Sequence, residues 1–169
     1  MKKILFPSIL LLTATLIISN INFHPLKVKE IDRIEVYKAQ NELHLLREDS
    51  IVKTYKISMG ANPKGHKQFE GDEKTPEGEY ILDWKNKNSI AYLSLHISYP
   101  NERDKAYAKA QNKSPGGLIM IHGIRNGLGV IGKLHRLYNW TNGCVAVTNF
   151  EMKEIYNAAP KNCPIIIYP

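Results

Sequence analysis

The sequence is poor in cysteine, with only Cys144 and Cys163 among its 169 residues. Two cysteines exclude a small domain held together by many disulfides and a zinc site with four cysteine ligands. Nine prolines and eleven glycines are too few for a collagen-like chain or a long linker. With 43% hydrophobic and 23% charged residues, the chain has the composition of a folded domain with its own core, and its length suits one such domain.

Charged residues are absent near the N-terminus, where no Asp, Glu, Lys or Arg occurs between Lys3 and Lys27. Two lysines followed by an apolar run over residues 4–18 have the pattern of an export signal. A small-x-small cleavage site is missing after this run, and the run is short for a complete membrane span. We therefore predict a signal or anchor segment over residues 1–24, an uncleaved anchor being favoured over a cleaved signal peptide. The exported domain is predicted over residues 27–169.

Acidic residues are outnumbered by basic ones, 16 against 23, which gives a net charge of +7. An excess of positive charge favours an anionic partner, either nucleic acid or a polymer of the cell envelope. Export separates the domain from genomic nucleic acid, so no nucleic acid is expected to bind. The predicted location is the periplasm or cell envelope, with membrane association through the N-terminal segment as one option.

Alternating apolar residues predict a β-rich domain. Ile34 and Val36 are followed by Leu43 and Leu45 across Gln40-Asn41, which predicts a hairpin with a tight turn. Residues 60–78 are polar and rich in Gly and Pro, which predicts a loop. Further strands are predicted around residues 51–59, 80–82, 91–97, 118–121, 145–147 and 165–168.

Two segments have the spacing of short helices. Residues 102–111 place Ala106, Tyr107 and Ala110 on one face. In residues 151–159 the apolar face is formed by Met152, Ile155, Tyr156 and Ala159, and Thr148 is the predicted N-cap of a capping box with Glu151. The predicted fold is mainly β with short helices, either a β-sandwich or a partly open barrel.

Cys144 lies in Thr-Asn-Gly-Cys-Val, at the start of an apolar strand. Gly143 allows a sharp turn there, so that nearby N–H groups can point at one oxyanion. A thiol attacks as its thiolate, and it needs a nearby imidazole or positive charge to ionise at neutral pH. His122 is the candidate base, because it ends the apolar run 118–121 and is followed by Gly123.

Other assignments stay open for these residues. A free cysteine is often a buried core residue without a catalytic role. His135 is a rival base, but its cationic neighbours lower its basicity. His96 is expected to be structural. A zinc site of His96, His122, His135 and Cys144 is disfavoured because no two of them have ligand-pair spacing. A Cys144–Cys163 disulfide would make the domain a non-catalytic wall-binding module.

Three ordered motifs lie in the exported domain: GDEKTPEGEY at residues 71–80, Ile121-His122-Gly123, and TNGC at residues 141–144. Together they resemble the L,D-transpeptidase catalytic domain (YkuD type), in particular its shorter periplasmic members. The resemblance covers roughly residues 31–169. Three motifs in the family's order are far more specific than any one of them.

The resemblance implies cysteine-dependent acyl transfer on peptidoglycan stem peptides, without cofactor or metal. It makes Cys144 the nucleophile that carries the thioester and His122 the general base and later acid. The Gly123 carbonyl would orient His122, and the N–H groups of Gly143 and Cys144 would bind the oxyanion. The acceptor stays open: an amine of a second strand or protein gives a transpeptidase, and water gives a carboxypeptidase or an amidase that releases a wall-linked protein.

The chain departs from the family pattern at two positions. Asn142 stands where many members have His, and Ala146 stands where many have an Arg to which carboxylate binding is sometimes ascribed. Cationic side chains elsewhere in the domain can take over carboxylate binding from the missing Arg. The alternative is that these cations only form a charged face in contact with solvent. Candidate substrate-binding residues are the cations of the loop between the two motifs and the residues before Gly143, namely Arg125, Lys133, Arg136, Thr141 and Asn142.

Overall fold

The computed structural model describes residues 30–169, so the predicted N-terminal segment lies outside the described residues. The strands are β1 Arg33–Tyr37, β2 Glu42–Arg47, β3 Ser50–Lys56, β4 Gly78–Ser89, β5 Tyr92–Ile97, β6 Met120–His122, β7 Val145–Ala146 and β8 Cys163–Tyr168. The helices are α1 Glu102–Ala110 and α2 Asn149–Ala158, with a 3₁₀ segment over Gly129–Leu137. Within residues 30–169, none of the helices has the length and apolarity needed to cross a membrane.

The eight strands form one mixed sheet in the order β3-β2-β1-β8-β4-β5-β6-β7. Its two edges approach each other, because Ser58, just after β3, pairs with Ala146 of β7. The Ser58 N–H donates to the Ala146 carbonyl at 2.9 Å, and the Ala146 N–H donates to the Ser58 carbonyl at 2.7 Å. The curled single sheet confirms the partly open barrel and excludes the sandwich of two sheets.

Helix α2 covers the core as the spacing predicts. Met152, Ile155 and Ala158 are buried, and full burial of a side chain such as Met or Ile contributes about 1.5–3 kcal/mol. The predicted capping box is confirmed: the Glu151 N–H donates to the Thr148 hydroxyl, and the Glu151 carboxylate accepts from the Thr148 N–H. The hairpin of β1 and β2 is confirmed as well.

Helix α1 forms where expected, but the predicted apolar face is wrong. Ala106, Tyr107 and Ala110 are exposed, and the buried residues are Asp104 and Ala108. The Asp104 carboxylate accepts hydrogen bonds from the Tyr80 hydroxyl at 3.0 Å and from the Asn101 N–H at 3.0 Å. A buried carboxylate needs such donors, so polar contacts rather than apolar spacing orient this helix.

The loop over residues 60–78 is tied to the end of β1 by a buried lysine. The Lys38 ammonium donates to the Gly65 carbonyl at 2.7 Å, the Thr75 carbonyl at 3.1 Å and the Glu77 carboxylate at 2.6 Å. Three acceptors satisfy all three ammonium protons, as a buried cation requires. The loop is therefore held in a defined position over the end of the sheet.

Candidate active site

The site lies where β6 and β7 run side by side. Their parallel register pairs Ile121 with Val145 and His122 with Ala146. Ile121 and Val145 are fully buried in the core. Because side chains alternate along a strand, His122 and Cys144 both project from the opposite face of the sheet. The fold thus places the two predicted catalytic side chains on one face of adjacent segments.

The Cys144 sulfur is held by backbone groups of the neighbouring segment. Sγ accepts from the Met120 N–H at 3.4 Å, and the thiol donates to the Leu118 carbonyl at 3.6 Å. Burial raises the pKa of the Cys144 thiol, and the Met120 N–H and the positive charge of Lys67 oppose that rise. The thiol is therefore protonated at neutral pH and needs a base to become a nucleophile.

His122 is held in one orientation by its neighbour. Nδ1 lies 2.6 Å from the Gly123 carbonyl oxygen. A carbonyl only accepts hydrogen bonds, so Nδ1 carries the proton and Nε2 keeps its lone pair. Burial lowers the pKa of His122, and the hydrogen bond to Gly123 opposes that change. The imidazole is thus neutral at neutral pH, in the tautomer that a base requires.

Gly143 makes the turn before the cysteine. Its φ of +123° suits glycine, and a Cβ there would lie 2.5 Å from the Lys74 carbonyl oxygen. Its N–H donates to the Thr141 hydroxyl at 3.2 Å, so this predicted oxyanion donor is already engaged. Among residues 30–169 the Cys144 N–H donates to no acceptor, which leaves it free for an oxyanion.

The predicted substrate-binding residues have different surroundings. Thr141 is buried and donates to the Cys144 carbonyl at 2.7 Å, so it shapes the turn. Arg136 forms an ion pair with Glu151 at the start of α2. Arg125 and Lys133 are exposed, as a solvated charged face would be. Asn142 is exposed and lines a cavity beside the cysteine turn.

Trp140 is a site residue that the sequence patterns missed. Its ring packs edge-on against His122, with centroids 5.8 Å apart, and against His135, with centroids 6.4 Å apart. His135 is buried, and burial, followed by the charge of Arg136, lowers its pKa to about 4. The place of Trp140 directly before the cysteine motif was the only sequence signal for it.

The remaining candidate residues have other surroundings. His96 stacks on Trp84 with centroids 4.9 Å apart, and its Nδ1 lies 2.6 Å from an Asp83 oxygen. Both cysteines are free thiols, and three strands separate Cys163 in β8 from β7 in the order of the sheet. No group of three or more potential metal ligands occurs among the residues that the structure describes.

The thiol is expected to react with iodoacetamide at a rate that rises with pH. Because burial raises the pKa of Cys144 above its ordinary value of 9.0, the rate should still be increasing at pH 9. Cys163 should stay unlabelled, since burial and Asp32 raise its pKa to about 12. Peptide mass mapping of the folded protein from pH 6 to pH 10 gives both rates. A midpoint well below 9 would indicate a preformed thiolate–imidazolium pair instead.

Comparison with known families identifies one match over almost the whole described region. Residues 31–167 match the family model of the YkuD L,D-transpeptidase catalytic domain. The match runs from before β1 into β8 and includes both motifs of the site. This match agrees with the three sequence motifs, which resemble the same family.

Individual relatives agree with this match. The Escherichia coli (strain K12) protein YafK is 28% identical over 130 residues, which are 73% of this chain and 45% of YafK. The structure of the helical cell shape determining protein Pgp2 from Campylobacter jejuni superposes with a TM-score of 0.63 at 26% identity, over 82% of this chain and 48% of Pgp2. The structure of Bd1075 from Bdellovibrio bacteriovorus superposes with a TM-score of 0.57 at 26% identity, over 83% of this chain and 48% of Bd1075. The chain spans about half the length of each of these relatives.

Proposed function

Because the chain belongs to the L,D-transpeptidase catalytic domain family, we propose that it transfers acyl groups of peptidoglycan stem peptides through a thioester on Cys144. The pairing of β6 with β7 carries this proposal. It sets Cys144 and His122 on one face, with the His122 ring fixed by the Gly123 carbonyl. A half-buried thiol on the same face as a neutral imidazole fits the arrangement of a nucleophile with its base.

Acylation begins when His122 Nε2 removes the proton from the Cys144 thiol. Sγ attacks the carbonyl carbon of the scissile peptide bond, and the carbonyl oxygen becomes an oxyanion that the Cys144 N–H stabilises. The tetrahedral intermediate collapses as the C–N bond breaks. His122 returns the proton to the leaving amine, and the acyl group remains on sulfur as a thioester.

The acceptor decides the product of the second step. An amine that attacks the thioester forms a new cross-link, and water releases a trimmed stem. Both acceptors lose a proton to His122 Nε2 as they attack, and the Cys144 thiol is regenerated. Transpeptidase, carboxypeptidase and amidase thus share one acylation step at one site.

Muropeptide analysis tests the proposal. Purified protein is incubated with isolated peptidoglycan, and the soluble products are analysed by mass spectrometry. We expect new cross-links, and trimmed stems or released wall-linked protein would assign the same site to a hydrolase. Unchanged muropeptides together with no acyl adduct on Cys144 would contradict the proposed function.

The proposed substrate places the domain in the cell envelope. This location agrees with the charged and apolar N-terminal pattern that predicts export. It agrees as well with the net charge of +7, because the peptidoglycan stems carry carboxylates. Membrane anchoring by residues 1–24 remains part of this proposal, and fractionation of cells that express the full chain tests it.

A further inference from the structure

A cavity of about 390 Å³ lies beside the cysteine turn. It is bounded by the loop over residues 60–78 and by the segment before β6, and its lining includes Lys67, Glu70, Glu73, Gly116, Ile119 and Asn142. Ile119 follows Leu118, whose carbonyl accepts a hydrogen bond from the Cys144 thiol, and Asn142 lies two residues before Cys144. The cavity therefore lies next to the turn that carries the nucleophile.

Lys67 is a buried cation in the wall of this cavity, with 3% of its side chain exposed. Its ammonium donates to the Asp72 carboxylate at 2.8 Å and to the Phe69 carbonyl at 2.9 Å. An ammonium group has three N–H donors. Among the described residues no third acceptor is present, so one donor of a buried charge is left for a ligand.

The charge of Lys67 is only partly neutralised by Asp72. The Asp72 carboxylate also accepts from three backbone N–H groups, those of Gln68 at 2.7 Å, Phe69 at 3.0 Å and Lys74 at 3.1 Å. Burial would raise the pKa of Asp72, but these donors and Lys67 hold it below its ordinary value. The carboxylate thus divides its negative charge among four donors.

The same hydrogen bonds fix Lys67 relative to the nucleophile. The Asp72 carboxylate accepts a hydrogen bond from the Lys74 N–H. The Lys74 carbonyl packs against Gly143, and a Cβ on Gly143 would lie only 2.5 Å from that carbonyl oxygen. Lys67, Asp72, Lys74 and the turn that carries Cys144 are therefore contiguous. The Lys67 charge also opposes the burial that raises the pKa of the Cys144 thiol.

We propose that Lys67 binds the C-terminal carboxylate of the acyl-donor peptide in this cavity, and this inference rests on the proposed function. A carboxylate bound there neutralises the buried cation and occupies its third N–H. The exposed Glu70 and Glu73 at the rim favour a donor that also carries an ammonium group. Lys67 is then a substrate-binding residue next to the scissile bond.

Two synthetic stem peptides test this proposal, one with a free C-terminal carboxylate and one with a C-terminal carboxamide. The full-length protein is expected to prefer the carboxylate by about 10- to 100-fold in kcat/KM, which is the usual contribution of a hydrogen bond to a charged group. The preference should appear mainly in KM. Lys67→Gln should abolish it, and Lys67→Arg should keep most of it.

Lys64→Gln is the matched control, because Lys64 is an exposed lysine of the same loop, and it should leave the preference unchanged. Equal kcat/KM for the two peptides in the unmodified protein would overturn the proposal without reference to any variant. A full preference in a folded Lys67→Gln variant would overturn it too. The absence of a Cys144 adduct with both peptides would reject the proposed function instead.

Discussion

Replacing Cys144 with serine is expected to abolish the thioester and to lower stem-peptide turnover by a factor on the order of 10³ or more. A hydroxyl ionises far less readily than a thiol, and His122 is a weak base for it because burial lowers its pKa. The fold should persist, since a hydroxyl can make the same contacts with the Met120 N–H and the Leu118 carbonyl. Intact-protein mass spectrometry detects the adduct, and muropeptide analysis measures turnover.

Cys163→Ala is the matched control for this substitution. Cys163 is a fully buried thiol in β8 that belongs to the hydrophobic core, and within residues 30–169 its sulfur hydrogen-bonds to the backbone carbonyls of Asp32 and Pro164. The variant should lose some stability through the smaller side chain but keep its activity. Thermal unfolding of both variants separates loss of fold from loss of chemistry. Full activity of Cys144→Ser would show that the nucleophile lies elsewhere.

His122→Gln is expected to lower kcat/KM by about 10²- to 10⁴-fold, the usual contribution of general acid–base catalysis. A glutamine amide can still donate to the Gly123 carbonyl, so the geometry of the turn is kept while the proton acceptor is lost. Without the base, attack depends on the thiolate that forms spontaneously. That fraction is small at neutral pH, because burial raises the pKa of Cys144.

The pH dependence supplies a signature of this role. Activity requires neutral His122, whose pKa lies below the ordinary value of 6.5, so activity should fall only as the pH drops below that value. The His122→Gln variant should lack this acid limb, and its residual rate should rise with pH towards the raised pKa of the thiol. A rate of His122→Gln equal to that of the unmodified protein would reassign the base.

Thr75→Ala removes a hydrogen bond that we expect to support the fold, in contrast to His122→Gln, which removes the base. The buried Thr75 hydroxyl accepts the Gly60 N–H at 3.1 Å, so its loss leaves a buried donor unpaired. Such a loss costs about 1–3 kcal/mol of stability. Activity of the folded variant should fall much less than in His122→Gln. Equal losses of activity would show that the turn at residues 75–78 acts on the reaction.

Local patterns in the sequence predicted the elements whose contacts are themselves local. The capping box of α2 and the hairpin around Gln40-Asn41 depend on residues a few positions apart, and both are confirmed. The face of α1 was wrong because Asp104 binds the hydroxyl of Tyr80 from a distant strand. The 3₁₀ segment after His122 was missed, since it contains a kink at Gly132 that breaks the helical spacing.

In the candidate site, too, the sequence predicted some features and missed others. The sequence pointed to Cys144 and His122, because Cys144 follows a glycine at the start of an apolar strand and His122 ends an apolar run before a glycine. Nothing in these patterns indicated that the Gly143 N–H is bound by the Thr141 hydroxyl. Likewise, only the packing of its ring against His122 makes Trp140 part of the site.

By itself, the sequence determined which segments form the strands and the two α-helices and which thiol and imidazole stand at strand ends, because alternation and capping act over a few residues. Only the tertiary structure decided that Ser58 meets Ala146 to curl the sheet, and that Lys67 lies buried beside the cysteine turn. These contacts join residues that are far apart in the chain. They form only when the core packs, because burial of apolar side chains brings distant segments of the chain together.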